Sequence, residues 1–595
     1  MVTIFFLTFF LRINPSRSFS AHVSPSSSSP SKKIVWFRDH ALRINDNEAL
    51  TAAVKESLTS SSSILPVYLW TSSAEEKSQL GTGRPVDKST GGTARDVFVA
   101  NALDSLNSTL GGTLSLGLVN DRTDFAEELV EICRQAKADE VYYLKSHDAK
   151  VEDFVINKLC ENGITPRPFG GAFSLIDYSQ HDVPWKDIIL EHPWRSPLIP
   201  FVDYVLRQME ERPLKPALEA PEGLNKVLLP DVDVDSKSLV SNPYCLQELL
   251  NIVGITPGGT EWGTSISNSW PANENQATKA LCSFLESLEE TDDGMKRMHL
   301  ASRLSPYLAR GMLSPKQVYS GIVGVGDKSE SDSFIRRICW RDYTYAVVAL
   351  YPDVTNGKAI RDGYESLDDG ISIDSEDKMR RLECWKKGTT GFPLIDAGMR
   401  QLVAEGWMPQ KVRLACSTFL IEGLGLSWRD GMRHFADFLV DYDEAINSNM
   451  WMNAGCVGLD PYYVGMNYKR RSYWDNNGDY VRKWCPEIAN LPDSVGMELG
   501  NTNKTVDCLY EPWASPPGVL GKAGVTLGKT YPERVCDERE SRSQFFTEVR
   551  ELRAQWSPSM IDDRKRDLVG LGPSAECERI GLFTPRAFQV RQPRH

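Results

Sequence analysis

Between residues 33 and 160, apolar runs of strand length alternate with stretches of helical period. No other feature of the chain constrains its fold as strongly. Lys33-Ile34-Val35-Trp36-Phe37-Arg38 reads as a strand, and Asp46-Asn47-Glu48-Ala49-Leu50 opens a helix whose first turn is acidic, complementing the helix dipole. The pattern predicts a second strand from Ile64 to Trp70, a helix over Phe125 to Ala136, a strand from Glu140 to Leu144 and a helix from Val151 to Leu159. Such alternation implies parallel strands joined by crossover helices, because a parallel pair cannot be closed by a tight turn.

The period then changes. From about Gln180 to Trp262 the chain is rich in Pro, Asp and Gly, and reads as a long connection over the surface. Beyond it strand signals nearly vanish. Met432, Phe435, Ala436 and Leu439 fall at i, i+3, i+4 and i+7, one face of a helix, and similar patterns run through Ala397–Glu405 and Lys411–Ile421. The expected architecture is an α/β Rossmann-like domain with a parallel sheet over 32–179, a connector over 180–262, and an all-α domain over 263–537. Residues 538–595, mixed in charge with Pro and Gly, are expected to form a short tail.

Composition narrows the function. With 595 residues the chain can bury sizeable cores, and its net charge of −13 supplies no global basic field for nucleic acid. Any nucleic-acid site is therefore a local patch. Twelve cysteines without a CxxC pair argue against a zinc cluster or disulfide scaffold and fit a reducing compartment. Residues 1–31 stand apart: an apolar run from Val2 to Leu11, then Arg12, Arg17 and a Ser/Pro-rich stretch, with no acidic residue before Asp39. This reads equally as a targeting leader and as a disordered N-terminus, which leaves nucleus and plastid open as compartments. The apolar run is too short to span a bilayer and no other segment is longer, so no membrane association is expected.

One segment carries specific chemistry: Trp385-Lys386-Lys387-Gly388-Thr389-Thr390-Gly391-Phe392-Pro393-Leu394-Ile395-Asp396-Ala397-Gly398-Met399-Arg400-Gln401-Leu402. It resembles the flavin-domain signature of the photolyase–cryptochrome family. The resemblance extends over roughly residues 32 to 537. Trp36-Phe37-Arg38-Asp39 with Leu42-Arg43 and Asp46-Asn47 is similar to the family's opening motif, with the first Asp one place early. Trp340-Arg341-Asp342-Tyr343 resembles its W-R-[DE]-[FY] motif, and Glu511-Pro512-Trp513, Ala523-Gly524-Val525 and Tyr531-Pro532 resemble its closing segment. The resemblance implies bound FAD and an antenna chromophore, a folate or a deazaflavin, in the N-terminal domain.

It also implies site residues. Ser302, Arg303, Leu304 and Ser305 match the loop that holds the FAD phosphates, an arrangement suited to an anion at a helix N-terminus. Ser305 followed by Pro306 also reads as ordinary helix capping. The family's usual Thr at the start of this loop is Ala301 here. Phe334 and Arg341 join the cofactor set. Asp441 and Asp443 match positions along the isoalloxazine, Arg413 the arginine paired with the first of them, and Asn447 the side chain facing flavin N5. Photolyases commonly carry Asn at that position, and plant cryptochromes carry Asp. Trp451 and Trp428 match two members of an electron-transfer chain of tryptophans. The third, outer member is Ser375, so another aromatic such as Trp385 ends the chain or photoreduction is inefficient.

Two functions remain open, and the lesion pocket separates them. Where repair enzymes of the family place a Glu that bonds the lesion bases, this chain has Arg337, and where they stack a Trp on the dimer it has Asn453. The M-x-N-R motif is replaced by Gln410 and Lys411. Position 409, the catalytic His of the (6-4) enzymes, is Pro. Only Trp340 keeps its type. Losing a stacking aromatic forfeits about 1–3 kcal/mol per base. The pocket reads as refitted for a partner, and Lys469, Arg470, Arg471 and Arg337 leave it basic enough for weak nucleic-acid binding. The resemblance thus favours a blue-light photoreceptor similar to the plant-like cryptochromes of algae, signalling to a protein partner. A cyclobutane pyrimidine dimer photolyase, with single strands among its candidate substrates, is the alternative.

Overall fold

The computed structural model describes residues 32–71, 93–119, 124–170, 173–176, 183–191, 196–229, 250, 261–290, 301–323, 328–361, 363–367, 370, 373–460, 475–499, 502–572 and 578–588. The leader 1–31 and the basic run at 469–471 lie outside them.

The N-terminal domain is a five-stranded parallel sheet in the order β3-β2-β1-β4-β5, formed by β1 (Lys32–Phe37), β2 (Ser63–Thr71), β3 (Ser115–Val119), β4 (Ala138–Leu144) and β5 (Thr165–Phe169). The three central strands are those the apolar pattern predicts. The two edges are not, and both are short. β5 reads Thr-Pro-Arg-Pro-Phe, and two prolines are tolerated only where one side of a strand needs no partner. Crossover helices cover both faces. Phe125–Ala136 buries Ala126, Leu129, Ile132 and Cys133 on one face, and Glu48–Ser60 starts at Asn47, whose side chain accepts the Leu50 N–H.

In an open sheet of this kind the crevice lies at the carboxyl ends of the strands flanking the reversal of order, here β1 and β4. Those ends lead to His40 and His147, and the helical domain fills the crevice. His147 Nε2 lies 3.3 Å from the carboxylate of Glu444, and His40 packs edge-on to His147 with ring centroids 5.4 Å apart. Asp39 accepts from Arg95 and from Tyr68, and Arg310 of the helical domain reaches it at 3.1 Å. The sheet thereby buttresses the helices around residue 443.

The connector contains structure the sequence pattern did not show. Trp185–Glu191 and Leu198–Glu211 are helices, and Trp185 stacks on Phe201 at 5.5 Å. Where the connector begins, the backbone N–H groups of Leu175 and Ile176 donate to the fully buried carboxylate of Asp342, the acid of the W-R-D-Y motif.

The second domain is helical, as expected, but not entirely so. Two antiparallel hairpins are present, Val495–Leu499 with Thr502–Val506 and Asp567–Gly570 with Arg579–Leu582. The expectation of a short tail also fails. Glu538–Ala554 is a 17-residue helix that buries Phe545, Val549 and Arg553 against the body of the domain. Its i, i+4 apolar spacing is sparse, because the face it buries includes Glu538, Ser541 and Arg553, polar residues that find partners only in the tertiary structure. Among the described residues no helix is long and apolar enough to cross a membrane.

Candidate functional site

The W-K-K-G-T-T-G-F-P signature is first a folding device. Asp396, fully buried in the helix Pro393–Glu405, accepts hydrogen bonds from the Thr390 N–H (2.7 Å), the Thr390 hydroxyl (2.6 Å), the Gly391 N–H (3.0 Å) and the Tyr531 hydroxyl (2.7 Å). Burial raises its pKa, and these donors partly oppose that shift. The far end of the helix is closed by side chains. Trp262, Ser265 and Trp270 donate to the successive carbonyls of Val403, Ala404 and Glu405 at 2.6, 2.9 and 2.7 Å, satisfying groups that would otherwise lack partners.

The helix Gln410–Thr418, a π turn over Phe419–Gly423, and the helices Trp428–Phe438 and Glu444–Ala454 pack behind this frame. They enclose a cavity with about 490 Å³ of space free of atoms, counting its open mouth. Its lining is half apolar (Leu414, Phe435, Leu439, Ile446, Met450) and half polar, and it includes Gln410, Arg413, Asp441, Asp443, Asn447 and Trp451. Six residues singled out in the sequence therefore converge on one space.

Their polar groups are ordered. Arg413 holds Asp441 in a bidentate pair at 2.7 and 3.1 Å, and its Nε donates to the Met408 carbonyl at 2.9 Å. Asp443 caps the helix Glu444–Ala454 by accepting the Ile446 N–H at 3.1 Å, and its other oxygen accepts from Tyr345. Burial pushes the Asp443 carboxyl up, but the Arg341 guanidinium, the two histidines and the Tyr345 hydroxyl bring it below the usual range. It is therefore a carboxylate at neutral pH. The Asn447 amide N–H donates to the Met432 carbonyl at 3.1 Å, an assignment that turns its oxygen toward the cavity as an acceptor.

The remaining predicted residues are placed differently. Arg341 acts one step removed, its guanidinium 3.2 Å from the Tyr345 hydroxyl. Ser305 accepts the Trp407 indole N–H at 3.0 Å, and the Ser302 hydroxyl lies 3.4 Å from the Leu304 N–H. The Arg303 side chain turns away, over the Trp270 and Trp407 rings at 4.3 and 4.9 Å, so only its backbone faces the loop. Phe334 packs on Phe284 at 4.5 Å and does not line the cavity. Trp340 is 41% exposed, Lys411 and Gln410 are at the surface, and Arg337 is largely buried with its guanidinium 5.6 Å from the Phe334 ring.

Two expectations are corrected. Asn453 does not present a face to a ligand: it is 3% exposed, and its Oδ1 accepts the Asp460 N–H at 3.1 Å, closing the loop 453–460. An amide fits that position because its oxygen accepts a backbone N–H seven residues on. Trp385 cannot be a surface end of an electron chain, because it is fully buried beside Trp451 with ring centroids 6.2 Å apart. The sequence reading missed Tyr345, although its i+4 spacing from Arg341 puts both on one helix face. It also missed the two histidines, whose partners lie hundreds of residues away.

A doubly wound sheet docked on a helical domain with a mixed polar and apolar cavity defines the class of two-domain flavin-binding proteins. Residues 334–551 match the family model of the FAD binding domain of DNA photolyase, and residues 33–175 match that of DNA photolyase. The chain belongs to the photolyase–cryptochrome family. It is 28% identical over 529 residues to a deoxyribodipyrimidine photo-lyase of Agrobacterium fabrum, covering 86% of this chain and 96% of that one. It is 24% identical over 595 residues to Cryptochrome-1 of Arabidopsis thaliana, covering 94% and 76%. Among solved structures, a bacterial class III photolyase from Agrobacterium tumefaciens aligns with a TM-score of 0.71 at 27% identity, over 89% of this chain and 99% of that one. A Synechocystis cryptochrome aligns with a TM-score of 0.67 at 22% identity, over 88% and 100%, and so shares the fold.

Proposed function

We propose that the cavity holds the isoalloxazine of FAD and that the protein is a blue-light receptor of the plant-like cryptochrome kind. The donor set fits the cofactor. The Asn447 oxygen would accept from a ring N–H, Asp443 and the Arg413–Asp441 pair would bind polar groups of the ring, and Leu414, Leu439, Ile446 and Met450 would exclude water from it. The loop at Ser302–Ser305 offers backbone N–H groups and two hydroxyls to the phosphates. Bound FAD supplies light absorption and one-electron chemistry. The protein's part is to hold the ring, keep Asp443 ionised beside it, and supply an electron from Trp451, whose indole lines the cavity.

The observation that carries the receptor reading is Asn453. Where a repair enzyme of the family stacks an aromatic on the lesion, this side chain is buried and committed to its own loop. Arg337 adds a cation where such enzymes carry an acid. A light-driven change of charge in the cavity is read at the surface by a protein partner, with an antenna chromophore in the N-terminal domain and the nucleus or a plastid as the compartment. The second reading, repair of cyclobutane dimers, is favoured by Asn447, since an acceptor at that position stabilises a reduced, N–H-bearing ring. Weak nucleic-acid binding, suggested by the basic residues Arg337, Lys469, Arg470 and Arg471 of the sequence, belongs to that reading.

The experiment is anaerobic repair of a thymine-dimer oligonucleotide, single- and double-stranded, under blue light. No repair, with flavin photoreduction confirmed in the same cuvette, is the expected result. Repair of either substrate would make this a photolyase.

A further inference from the structure

A second cavity lies at the seam where the sheet domain, the connector and the helical domain meet. It has about 1310 Å³ of space free of atoms, counting its open mouth, and it shares no lining residue with the cavity around Asn447. One wall is the helix Ala94–Thr109, a second is the connector turn Leu224–Val227, and a third is the start of the helix Glu274–Glu290. Leu42, Ile44, Leu106 and Met312, each no more than 5% exposed, give it an apolar floor.

Hydrogen bonds tie the walls to one another. The Glu274 carboxylate accepts from the Ile44 N–H at 2.8 Å, the Asn45 N–H at 3.1 Å and the Asn45 side-chain amide at 2.9 Å. Asn45 Oδ1 accepts the Ala220 N–H at 3.1 Å, and Asp46 exchanges hydrogen bonds with the Leu218 backbone at 2.7 and 3.0 Å. The space is therefore formed before any ligand enters, as in most small-molecule sites at domain boundaries.

The same bonds sort the polar groups at the mouth. Asn45 and Glu274 are committed to the walls. Asn273 Oδ1 accepts the Gln276 N–H at 2.9 Å, which leaves its amide nitrogen as a donor. Asn225 and Asn275 are exposed, and each amide carries both a donor and an acceptor. Lys226 is exposed beside them and pairs with no carboxylate among the described residues. An apolar floor under three amides suits a ring whose edge bears carbonyl or nitrogen groups. One ammonium suits one negative charge. A di- or triphosphate would bring more charge than Lys226 neutralises, beside the fixed carboxylate of Glu274.

We propose that this seam is a binding site for a heteroaromatic ring carrying a single carboxylate. The ring lies over Leu42, Ile44, Leu106 and Met312, the amides of Asn225, Asn273 and Asn275 bond its edge, and Lys226 meets its carboxylate. A ligand there touches all three walls and so holds the two domains together. The site stands whatever occupies the cavity around Asn447.

The test uses the full chain as purified. The probe is anilinonaphthalene sulfonate, an aromatic monoanion that brightens in apolar sites, and the competitors are quinaldate and decanoate. Saturable binding of one dye per chain is expected, displaced by quinaldate at lower concentration than by decanoate. Lys226→Glu, and Ala220→Trp at an exposed lining position, are each expected to weaken dye and quinaldate by about tenfold, the worth of one charged hydrogen bond. Lys215→Glu makes the same charge change on the connector outside the cavity and is expected to leave both affinities as they are. All three positions are exposed, and circular dichroism checks that each variant is folded. Unsaturable dye binding, or wild-type affinity in either Lys226→Glu or Ala220→Trp, overturns the site. An equal loss in Lys215→Glu does so too, because the attraction would then be general. Displacement by decanoate as readily as by quinaldate, or none by quinaldate, overturns the heteroaromatic assignment.

Discussion

Arg361 and Asp567, both buried, meet at 2.7 Å and tie the last part of the chain to the loop behind the cavity. The same guanidinium donates to the carbonyls of Gly458 at 2.7 Å and Leu459 at 3.2 Å, while Arg553 and Tyr364 also bond the Asp567 carboxylate. Removing one member of a buried ion network leaves an uncompensated charge. Asp567→Ala is therefore expected to destabilise the protein by about 3–5 kcal/mol in denaturant titration. A chain ending at residue 537 should lose at least as much, because both arginine partners of Asp567 belong to this contact.

Arg413→Ala should act at the cavity itself. It strands the Asp441 carboxylate, now held at 2.7 and 3.1 Å, in a largely buried position. The expected cost is again about 3–5 kcal/mol, with a parallel fall in flavin content measured by absorbance per protein.

Acid should weaken the fold through its histidines. Burial lowers the pKa of His40 and of His434 from 6.5 to about 3. The unfolded chain therefore binds more protons than the native one between pH 3 and 6.5, and stability falls as pH drops through that window. Each group contributes about 1.4 kcal/mol per pH unit well below 6.5. His434→Phe, which keeps the ring packing on Trp385 and Phe438, is expected to reduce the pH slope of the unfolding free energy by one group's share.

Two glycines make room for the tryptophans. A Cβ on Gly431 would lie 2.1 Å from the Trp451 ring, and one on Gly455 would lie 2.7 Å from the Trp428 ring. Gly431→Ala should displace Trp451 and cost about 1–3 kcal/mol, with photoreduction slowed in flavin-loaded protein. Gly455→Ala tests Trp428 in the same way.

Asn447→Asp would place a titratable group where the amide oxygen now faces the cavity. Burial raises a carboxyl's pKa, so photoreduction should become pH-dependent in the variant and stay flat through that range in the wild type. A flat profile in both would show that this side chain does not face the ring.

The sequence determined the alternation that makes a parallel sheet and the amphipathic helices that follow, because each is written in local spacing, while most cavity residues were legible only through the family resemblance that dense runs such as 385–402 carry. It also held Arg413, Asp441, Asp443 and Asn447 in recognisable order. What only the tertiary structure decided depends on partners distant in sequence. Asn453 is closed into its loop, Trp385 is buried against Trp451, and Tyr345 is bound to Asp443. The described residues beyond 537 are tied to the domain where Arg361, about two hundred residues upstream, pairs with Asp567. A charged or aromatic side chain has the same letter whether water or a buried partner receives it, and only the packed chain determines which.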